Sequence, residues 1–440
     1  MRSALPKVLH PLCGRPIIAW PVAAAVEAGA GAIVVVDNPK RWLEDHLDAS
    51  VEVVVQQEPK GTGDAVAAAA EHIAPGTTTV VINGDVPLLT GEAIRALVEA
   101  HGTAGAQATM ATMELDEPGT YGRVIRDKDG SVLRVAEAKK PGDATPEELQ
   151  IREVNTGVYA FEGEALLNAM HQLDSDNAQG ELYLPDVLPA IRAAGGIVAA
   201  HPIVDPTLTH GVDDRAGLAK AHALAQRRIH AAHMSAGVTI IDPSTTTIDV
   251  DVTIGPDTTI EPCTQLRGAT SIGSNTRIGA MTTLVDSAIG DHVTILHSHL
   301  TNARVDDEAT VGPFAYLRPD AHLHKKAKAG TFVEIKNSEI GEGTKVPHLS
   351  YIGDADVGAQ TNIGAGNITA NYDGRKKHRT TIGARVKTSV DTAFVAPVTV
   401  GDDAYTGAGS VITDDVPPGA LGIARARQEN IEGYAARKQR

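Results

Sequence analysis

From residue 238 onward the chain repeats a pattern in which one aliphatic side chain recurs among polar and small residues. The aliphatic residues keep a spacing of six over a long unbroken run, and glycine follows many of them. The members of that run are Ile248, Ile254, Ile260, Leu266, Ile272, Ile278 and Leu284. Helical periodicity cannot produce consecutive matches at this spacing. A six-residue period with one inward aliphatic residue and small corner residues predicts a parallel β-helix.

Two segments, 324–330 and 370–381, replace the repeat with basic and polar residues. Insertions in a solenoid usually leave as loops on one face, which is often the binding face. Because Lys and Arg concentrate in these segments while the chain carries a formal charge of -16, we predict loops that bind an anion. A solvated loop without a ligand is the alternative.

The first 200 or so residues have a different pattern, in which short β-branched runs alternate with Ala-rich stretches. The runs at 33–36, 51–55 and 79–82 predict strands of a parallel α/β sheet that is buried on both faces. Ligands bind such sheets at the carboxyl ends of the strands, so Asn83-Gly84-Asp85 is a candidate site.

A helix is predicted over 216–233, either as a spacer between two domains or packed on the first. The predicted domains are therefore 1–214, a linker helix at 215–236, and 237–440.

Composition and charge exclude several classes of function. The acidic balance argues against binding to nucleic acid, which needs a basic surface. No apolar run reaches the length of about 20 residues that a membrane span needs, and the N-terminus lacks the apolar core of a signal peptide. Cys13 and Cys263 are the only cysteines, which excludes a disulfide framework and predicts two inert thiols. We therefore expect a cytoplasmic protein with no membrane or nucleic-acid partner.

Several motifs carry a family resemblance that covers nearly the whole chain in order. Leu5-Pro6-Lys7-Val8-Leu9, followed by Gly14-Arg15-Pro16, resembles the start of the sugar-nucleotide pyrophosphorylases. The repeat region adds Arg318-Pro319, Lys336, His348-Leu349-Ser350-Tyr351, Asn362-Ile363-Gly364-Ala365-Gly366 and Asn371-Tyr372-Asp373-Gly374. Together these resemble the bacterial bifunctional N-acetylglucosamine-1-phosphate uridyltransferase / glucosamine-1-phosphate acetyltransferase family. The resemblance implies an α/β nucleotidyltransferase (Rossmann-like) domain, a left-handed parallel β-helix of hexapeptide repeats, and a homotrimer.

For the first domain the resemblance implies transfer of UMP from UTP to N-acetylglucosamine 1-phosphate, with Mg²⁺ and release of pyrophosphate. Lys7 then neutralises nucleotide phosphate, and Asp85 and Asp213 bind the metal. The remaining matches are Gln56, Gly61 and Thr62 at the uracil ring, and Asn83, Gly84, Gly122, Glu137 and Asn155 at the sugar. Without the motifs, Lys7 would be interpreted as an exposed lysine and Asp85 as the N-cap of a following helix.

Two departures bear on this first site. Asp213 stands where most relatives have Asn, so we expect metal binding to persist with altered strength. Met1 corresponds to the last residue of a Gly-rich phosphate-binding loop in the family, and that loop is absent from the 440 residues. We expect the native start to lie upstream.

For the second domain the resemblance implies acetyl transfer from acetyl-CoA to the amine of glucosamine 1-phosphate. His348 then accepts the proton of the attacking amine, and Arg318 and Lys336 hold the sugar phosphate. The remaining matches are Tyr351, Asn362 and Lys377 for the sugar phosphate, and Ala365, Asn371, Tyr372, Val390, Ala408 and Arg425 for acetyl-CoA. Lys377 is expected to reach toward a neighbouring subunit. Val390 replaces a small hydroxyl residue, which predicts weaker CoA binding.

Other functions remain open on the sequence alone. The chain could be an acetyltransferase with an inactive first domain, a pyrophosphorylase for another nucleotide or sugar, or a trimeric scaffold without chemistry. The pairs His297/His299 and His322/His324 have the alternation that puts two imidazoles on one strand face. No third ligand stands out beside either pair, so we interpret both as structural histidines rather than a zinc site.

Overall fold

The computed structural model describes residues 1–138, 140, 142–173 and 181–438. It divides into two compact units, Met1–Ala225 and Gln226–Arg440. A single helix, Arg215–Ser235, occupies the predicted linker, and the division between the units falls within that helix.

The first unit alternates strands and helices. Its strands are β1 (Pro11–Leu12), β2 (Arg15–Pro16), β3 (Val34–Asp37), β4 (Glu52–Val55), β5 (Thr78–Ile82), β6 (Ala108–Glu114), β7 (Arg123–Arg126), β8 (Val132–Ala136), β9 (Glu153–Glu162) and β10 (Val198–Pro202). Its helices are α1 (Ala19–Ala28), α2 (Thr62–Ala68), α3 (Gly91–Ala104), α4 (Gly163–Met170), α5 (Val187–Ala193) and the shared α6 (Arg215–Ser235). Short 3-10 helices lie at Lys7–Leu9, Glu44–His46, Ala70–His72, Glu148–Gln150, Leu184–Asp186 and Pro206–Thr209.

The main sheet of this unit is mixed, so the expectation of a parallel sheet is wrong in one respect. Strand β9 pairs antiparallel with β5, β6 and β7, while β10 pairs parallel with β6. Strands β3 and β4 form a separate parallel pair. Strand β9 is buried along most of its length. Because the sequence of a buried strand does not indicate whether it runs parallel or antiparallel to its neighbours, the antiparallel pairing was not predicted.

Helices and loops cover both faces of the main sheet, as in other α/β domains. On one face Phe161 packs with Leu166 and Leu188, and on the other Ala160 packs with Leu97. The carboxyl end of β5 leads directly into Asn83-Gly84-Asp85, where the sequence predicts a ligand site.

The second unit is a coil of short strands that stack into three parallel sheets. The first sheet contains Thr239–Ile240, Thr259–Ile260, Arg277–Ile278, Thr294–Ile295, Thr310–Val311, Lys328–Thr331 and Lys345–His348. The second contains Thr247–Ile248, Gln265–Arg267, Thr283–Val285, His299–Thr301, Tyr316–Leu317, Glu334–Lys336, Tyr351–Gly353, Ile368–Ala370, Ala393–Val395 and Val411–Ile412. The third contains Thr253–Ile254, Ser271–Ile272, Ala288–Ile289, Arg304–Val305, Ala321–Leu323, Ser338–Ile340, Ala355–Val357, Thr380–Ile382 and Val398–Val400. Tyr405–Thr406 pairs with Leu421–Gly422, and α7 (Tyr434–Lys438) follows.

Register and burial agree with the six-residue repeat. Ile260 pairs with Ile278 and Ile278 with Ile295, and all three side chains are fully buried inside the coil. The threonines that precede the strands line the corners, where Thr258 Oγ1 donates to the carbonyl of Gly273 at 2.7 Å. These contacts confirm the predicted parallel β-helix.

One of the two predicted insertions is part of the regular coil. Residues 328–331 form a strand in which Lys328 pairs with Thr310 and Ala329 with Val311. The inward residue of this strand is Ala329, which is fully buried but too small to mark the hydrophobic period. The prediction of a loop at 324–330 is therefore wrong. The middle of the segment 370–381 does leave the coil, between the strands Ile368–Ala370 and Thr380–Ile382, as a hairpin closed by a bridge between Tyr372 and Lys377.

Within the described residues, no helix combines the length and the apolar character needed to cross a bilayer.

Two candidate active sites

In the first unit, Lys7, Asp85 and Asp213 meet although they are far apart in sequence. Lys7 begins a 3-10 helix, Asp85 follows β5, and the backbone N–H of Val212 donates to the carbonyl of Asp85 at 2.9 Å. Lys7 Nζ lies 2.5 Å from Asp85 Oδ2 and 3.0 Å from Asp213 Oδ1. Two carboxylates thus converge on a single ammonium group.

The charges of this site are tightly linked. Burial alone would lower the pKa of Lys7, but the two carboxylates raise it above the usual value. Burial also raises the pKa of Tyr121, and the negative charges of Asp213 and Asp85 add to that increase. Converging carboxylate oxygens are the hard ligands that Mg²⁺ prefers beside substrate phosphates, so these residues fit the metal that the sequence predicts.

The residues predicted to contact uracil lie together at the start of α2. Gln56 Nε2 donates to Asp64 Oδ2 at 2.6 Å and to the carbonyl of Gly61 at 3.3 Å. Thr62 is the first residue of α2, and its Oγ1 accepts from the N–H of Leu184 at 3.0 Å. Gly61 has φ +114, and a Cβ there would lie 2.5 Å from the carbonyl oxygen of Leu182. Only glycine fits this turn without strain.

The predicted sugar-binding residues surround β9. The N–H of Asn155 donates to the carbonyl of Gly122 at 2.9 Å. A Cβ on Gly122 would lie 3.7 Å from Glu137 Oε1, and a Cβ on Gly157 would collide with the amide of Asn83. Asn83, Gly122, Glu137 and Asn155 therefore belong to one neighbourhood. A Cβ on Gly84 would lie 2.8 Å from the end of the Ile18 side chain, which would have to shift to admit it.

In the second unit, Asp354 joins several predicted residues into one network. Its carboxylate accepts from Asn337 Nδ2 and from Asn371 Nδ2, both at 2.5 Å, and lies 3.6 Å from Lys336 Nζ. Asn371 Nδ2 also lies 3.3 Å from the Tyr351 hydroxyl. Burial would raise the pKa of Asp354, but the two amides and the lysine charge hold it below the usual value.

Arg318, Lys336 and Lys377 form what we call the cationic cluster. Arg318 Nη1 donates to Glu334 Oε1 at 2.8 Å, an interaction that raises the pKa of the guanidinium group. Contact with the ammonium of Lys336 and the resulting repulsion lower the pKa of Lys377. Lys377 lies beside Lys336 of its own chain, and its reach toward a neighbouring subunit stays a prediction. An anion would relieve the repulsion between the two lysines.

His348 ends the strand Lys345–His348 and is exposed. Its backbone carbonyl accepts from Ser350 Oγ at 2.8 Å, which fixes the main chain at this corner. Within the described part of the chain, the imidazole makes no side-chain hydrogen bond, so both ring nitrogens are open to a substrate.

The residues predicted to bind CoA fall into three groups. Ala365, Val390 and Ala408 lie on successive turns of the coil, because the N–H of Asp391 donates to Ala365 and that of Gly409 donates to Val390. Asn371 belongs to the Asp354 network, and Tyr372 is exposed on the hairpin. Asn362, which is predicted to contact the sugar rather than CoA, is exposed on the turn that carries Ala365. Arg425 is exposed and makes no hydrogen bond or ion pair with any described residue.

The sequence did not point to Asp354, Asn337 or Asp64. Asp354 and Asn337 occupy coil corners with φ values of 51 and 45, a conformation that Asp and Asn adopt more readily than most residues. A corner Asp or Asn on successive turns was therefore a usable signal. Asp64 had no such signal, because only the folded turn brings it to Gln56.

Comparison with known proteins agrees with this architecture. Residues 2–201 match the nucleotidyl transferase family. The whole chain is 48% identical to a bifunctional protein GlmU of Mycolicibacterium vanbaalenii and covers 91% of its length. The corresponding protein of Mycobacterium marinum is 47% identical, again over the whole chain and 91% of that relative. The chain belongs to the GlmU family. It is a bifunctional transferase of UDP-N-acetylglucosamine synthesis, with uridylyltransferase and N-acetyltransferase activities.

Proposed function

We propose that the site around Lys7 and Asp85 carries uridylyl transfer and that the site around Lys336 and His348 carries acetyl transfer. The two reactions run in sequence on one sugar, because N-acetylation produces the N-acetylglucosamine 1-phosphate that uridylyl transfer consumes. The observation that carries this assignment is the pair of charged sites. One unit brings two carboxylates onto a lysine, and the other gathers three cations on a coil in which an exposed histidine ends the strand Lys345–His348.

In the first unit, a phosphate oxygen of N-acetylglucosamine 1-phosphate attacks the α-phosphorus of UTP. A new P–O bond forms, the bond to the β-phosphate bridge breaks, and pyrophosphate leaves. Such reactions depend mainly on positioning and charge neutralisation. Asp85 and Asp213 would hold Mg²⁺, which supplies positive charge to the phosphates when bound. Lys7 is placed to exchange its carboxylate partners for phosphate oxygens.

The pocket for the uracil base is formed by Gln56, Gly61 and Thr62. An amide side chain and open backbone groups can form hydrogen bonds there with the edge of the base. The sugar pocket contains Asn83, Gly84, Gly122, Glu137 and Asn155. The backbone contacts between Gly122 and Asn155 keep this pocket aligned with the carboxyl end of β5.

In the second unit, the amine of glucosamine 1-phosphate attacks the thioester carbonyl of acetyl-CoA. The C–N bond forms, the C–S bond breaks, and the thiolate of CoA leaves. An ammonium group is not a nucleophile, so His348 accepts the amine proton as the bond forms. The cationic cluster binds the sugar phosphate, with a guanidinium fork and two point charges for one dianion.

The remaining contacts of the acetyltransferase site follow the coil. Tyr351 and Asn362 contact the sugar, and Asn371 and Tyr372 lie where the sugar meets the acetyl group. CoA runs along the small residues Ala365 and Ala408 past Val390, with Arg425 as a terminal cation. The assembly we propose is a homotrimer, and the location is the cytoplasm.

The decisive experiment runs both reactions on the same preparation. Purified chain is supplied with UTP, N-acetylglucosamine 1-phosphate and Mg²⁺, and pyrophosphate release is followed beside CoA release from acetyl-CoA and glucosamine 1-phosphate. His348→Gln should abolish CoA release and leave pyrophosphate release unchanged. The matched control His299→Gln, on another strand of the coil, should preserve both activities.

Each alternative function gives a different result. Normal CoA release without pyrophosphate would support an acetyltransferase alone and contradict the uridylyl half of the proposal. Activity with another nucleotide or sugar in place of the UTP pair would contradict the substrate assignment. A His348→Gln variant with normal CoA release would show that the proton acceptor lies elsewhere.

A further inference from the structure

The third face of the coil carries a cluster of two imidazoles and two carboxylates that neither transfer reaction uses. His322 lies on the strand Ala321–Leu323 and pairs in register with Glu339 on the strand Ser338–Ile340. On its other side His322 pairs with Arg304, two residues before Asp306. His324 follows the strand that carries His322. We call Asp306, His322, His324 and Glu339 the histidine–carboxylate cluster.

Each of the two imidazoles lies between the two carboxylates. His322 Nε2 lies 3.0 Å from Asp306 Oδ2, and His324 Nδ1 lies 3.6 Å from the same oxygen. The opposite ring nitrogens, His322 Nδ1 and His324 Nε2, lie 2.8 Å and 2.7 Å from Glu339 Oε2. One nitrogen of each ring therefore faces Asp306, and the other nitrogen faces Glu339.

We propose that Asp306, His322 and His324 bind a divalent transition-metal ion, with Zn²⁺ as the probe of choice. One ligand atom of each residue lies within 4.8 Å of the other two. Ligands about 2.0–2.1 Å from zinc in a tetrahedron lie about 3.3 Å apart, which the 3.0 Å and 3.6 Å separations bracket. Two imidazoles and one carboxylate suit zinc and its neighbours far better than Mg²⁺.

The groups around these three residues also fit a metal site. In each imidazole, the nitrogen that is not needed as a metal ligand donates to Glu339. This hydrogen bond fixes the tautomer and the orientation of both rings. Arg304 Nε donates to Asp306 Oδ1 at 2.9 Å and so leaves Oδ2 directed at the histidines. The His322 side chain is only 16% exposed, whereas that of His324 is 40% exposed and leaves a path for the ion.

The competing interpretation is a ladder of ion pairs in which the histidines are protonated. The centres of the two rings are 3.9 Å apart, and one nitrogen of each ring faces the same oxygen of Asp306. A metal ion places its positive charge between the ligands and needs both rings neutral. Zinc is not expected from the sequence alone, because no third ligand stands out beside the pair His322/His324. Asp306 is that ligand, and the coil supplies it from the preceding turn.

The first test is metal stoichiometry. Purified chain is dialysed against micromolar Zn²⁺ in excess Mg²⁺, and bound zinc is measured by elemental analysis. The wild type should hold one equivalent of zinc more than His322→Gln/His324→Gln. The matched control His297→Gln/His299→Gln removes two histidines from another part of the coil, where they contact the rings of Phe314 and Tyr316, and it should keep the wild-type stoichiometry. Equal zinc content in wild type and His322→Gln/His324→Gln would overturn the proposal.

A second measurement does not depend on removing the histidines. Co²⁺ bound to the wild type should give the visible absorbance of a low-coordinate nitrogen and oxygen site, and Zn²⁺ should displace it. Glu339→Gln should weaken zinc binding by about 10–100-fold without abolishing it, because this residue orients the ligands. An unchanged affinity in Glu339→Gln together with no Co²⁺ band would show a ladder of ion pairs instead. Neither transfer activity should change in any of these variants.

Discussion

The two units of this chain assemble their sites by different routes. In the first unit, Lys7 meets carboxylates that are 78 and 206 residues away in sequence. In the second unit, Arg318 meets Glu334 after 16 residues and Asn337 meets Asp354 after 17, which is about one turn of the coil. A site in the coil is therefore organised by the repeat itself, whereas the site in the first unit depends on the whole domain being folded.

The largest expected effect is on the first site. Asp85→Asn removes the less exposed of the two carboxylates, and we expect uridylyl transfer to fall by about 10²–10³-fold. Acetyl transfer should be unchanged, because the coil organises its own site. Pyrophosphate release and CoA release on the same preparation measure both effects.

Asp213→Asn is the matched variant for that experiment. The Asp213 side chain is 88% exposed against 25% for Asp85, so its charge is better screened by water. We expect uridylyl transfer to stay within about tenfold of the wild type. Equal losses in the two variants would mean that both carboxylates are equally essential, contrary to the asymmetry of the site.

A smaller pair of effects concerns stability. Ile335 is fully buried between Leu317 and Ile352 in the coil, and Ile335→Ala should lower the free energy of unfolding by about 2–5 kcal/mol. Leu97→Ala, at a position with 1% exposure in the first unit, should cost about the same. Near the unfolding midpoint, Ile335→Ala should lose CoA release first and Leu97→Ala pyrophosphate release first.

Thermal unfolding followed by both activities distinguishes these outcomes. Loss of both activities at one temperature in either variant would show that the two units unfold together. The difference between the two sites would then concern how far apart in sequence their residues lie. It would not extend to the stability of the two units.

The same contrast explains which features were predictable. The inward aliphatic residues of the coil are visible because each turn repeats the same environment, and the pattern failed at Ala329, where the inward residue is small. The direction of β9 was not predictable, since a strand buried on both faces looks the same in either direction. Asn83-Gly84-Asp85 is a candidate site because these residues directly follow a predicted strand, and the structure has β5 end at Ile82.

Other parts of the sites needed the folded chain. The roles proposed for Lys7 and Asp213 rest on the family resemblance, and only the folded chain shows that the two side chains meet. Asp354 and Asp306 were missed although each lies within about one turn of a residue that the sequence singled out. In a coil, therefore, candidate partners should be sought one turn before and one turn after each chemically interesting side chain.

The next prediction concerns how the stability of the first unit depends on pH. Burial lowers the pKa of His101, whose Nδ1 lies 2.9 Å from Thr109 Oγ1. The unfolded state takes up a proton below about pH 6.5 while the folded state stays neutral, so the first unit loses stability as pH falls from there. His101→Gln should reduce this dependence between about pH 6.5 and 5. Unfolding in denaturant at several pH values measures the free energy of unfolding. If its slope against pH were the same in His101→Gln and the wild type, His101 would not be the source of the pH dependence.

The coil provides the contrasting case. Hydrogen bonds from Arg379 lower the pKa of Asp356, so its contribution to stability is present above about pH 3.9 and is lost as pH falls further. Asp356→Asn should therefore lower the free energy of unfolding by a constant amount above about pH 5, and it should remove part of the acid dependence below about pH 4. Its denaturation profile is the control for His101→Gln.

The smallest effect tests a single missing hydroxyl group. Val390 is 47% exposed on the turn above Ala365, where we propose that CoA lies. Val390→Ser should lower the KM for acetyl-CoA by about two- to tenfold, the value of one net hydrogen bond, with kcat little changed. Val390→Ala removes the same bulk without adding a donor and should leave the KM near the wild-type value. If both variants lowered the KM equally, the bulk of valine rather than the absent hydrogen bond would limit CoA binding, and the acetyl-CoA site would be defined by shape at this turn.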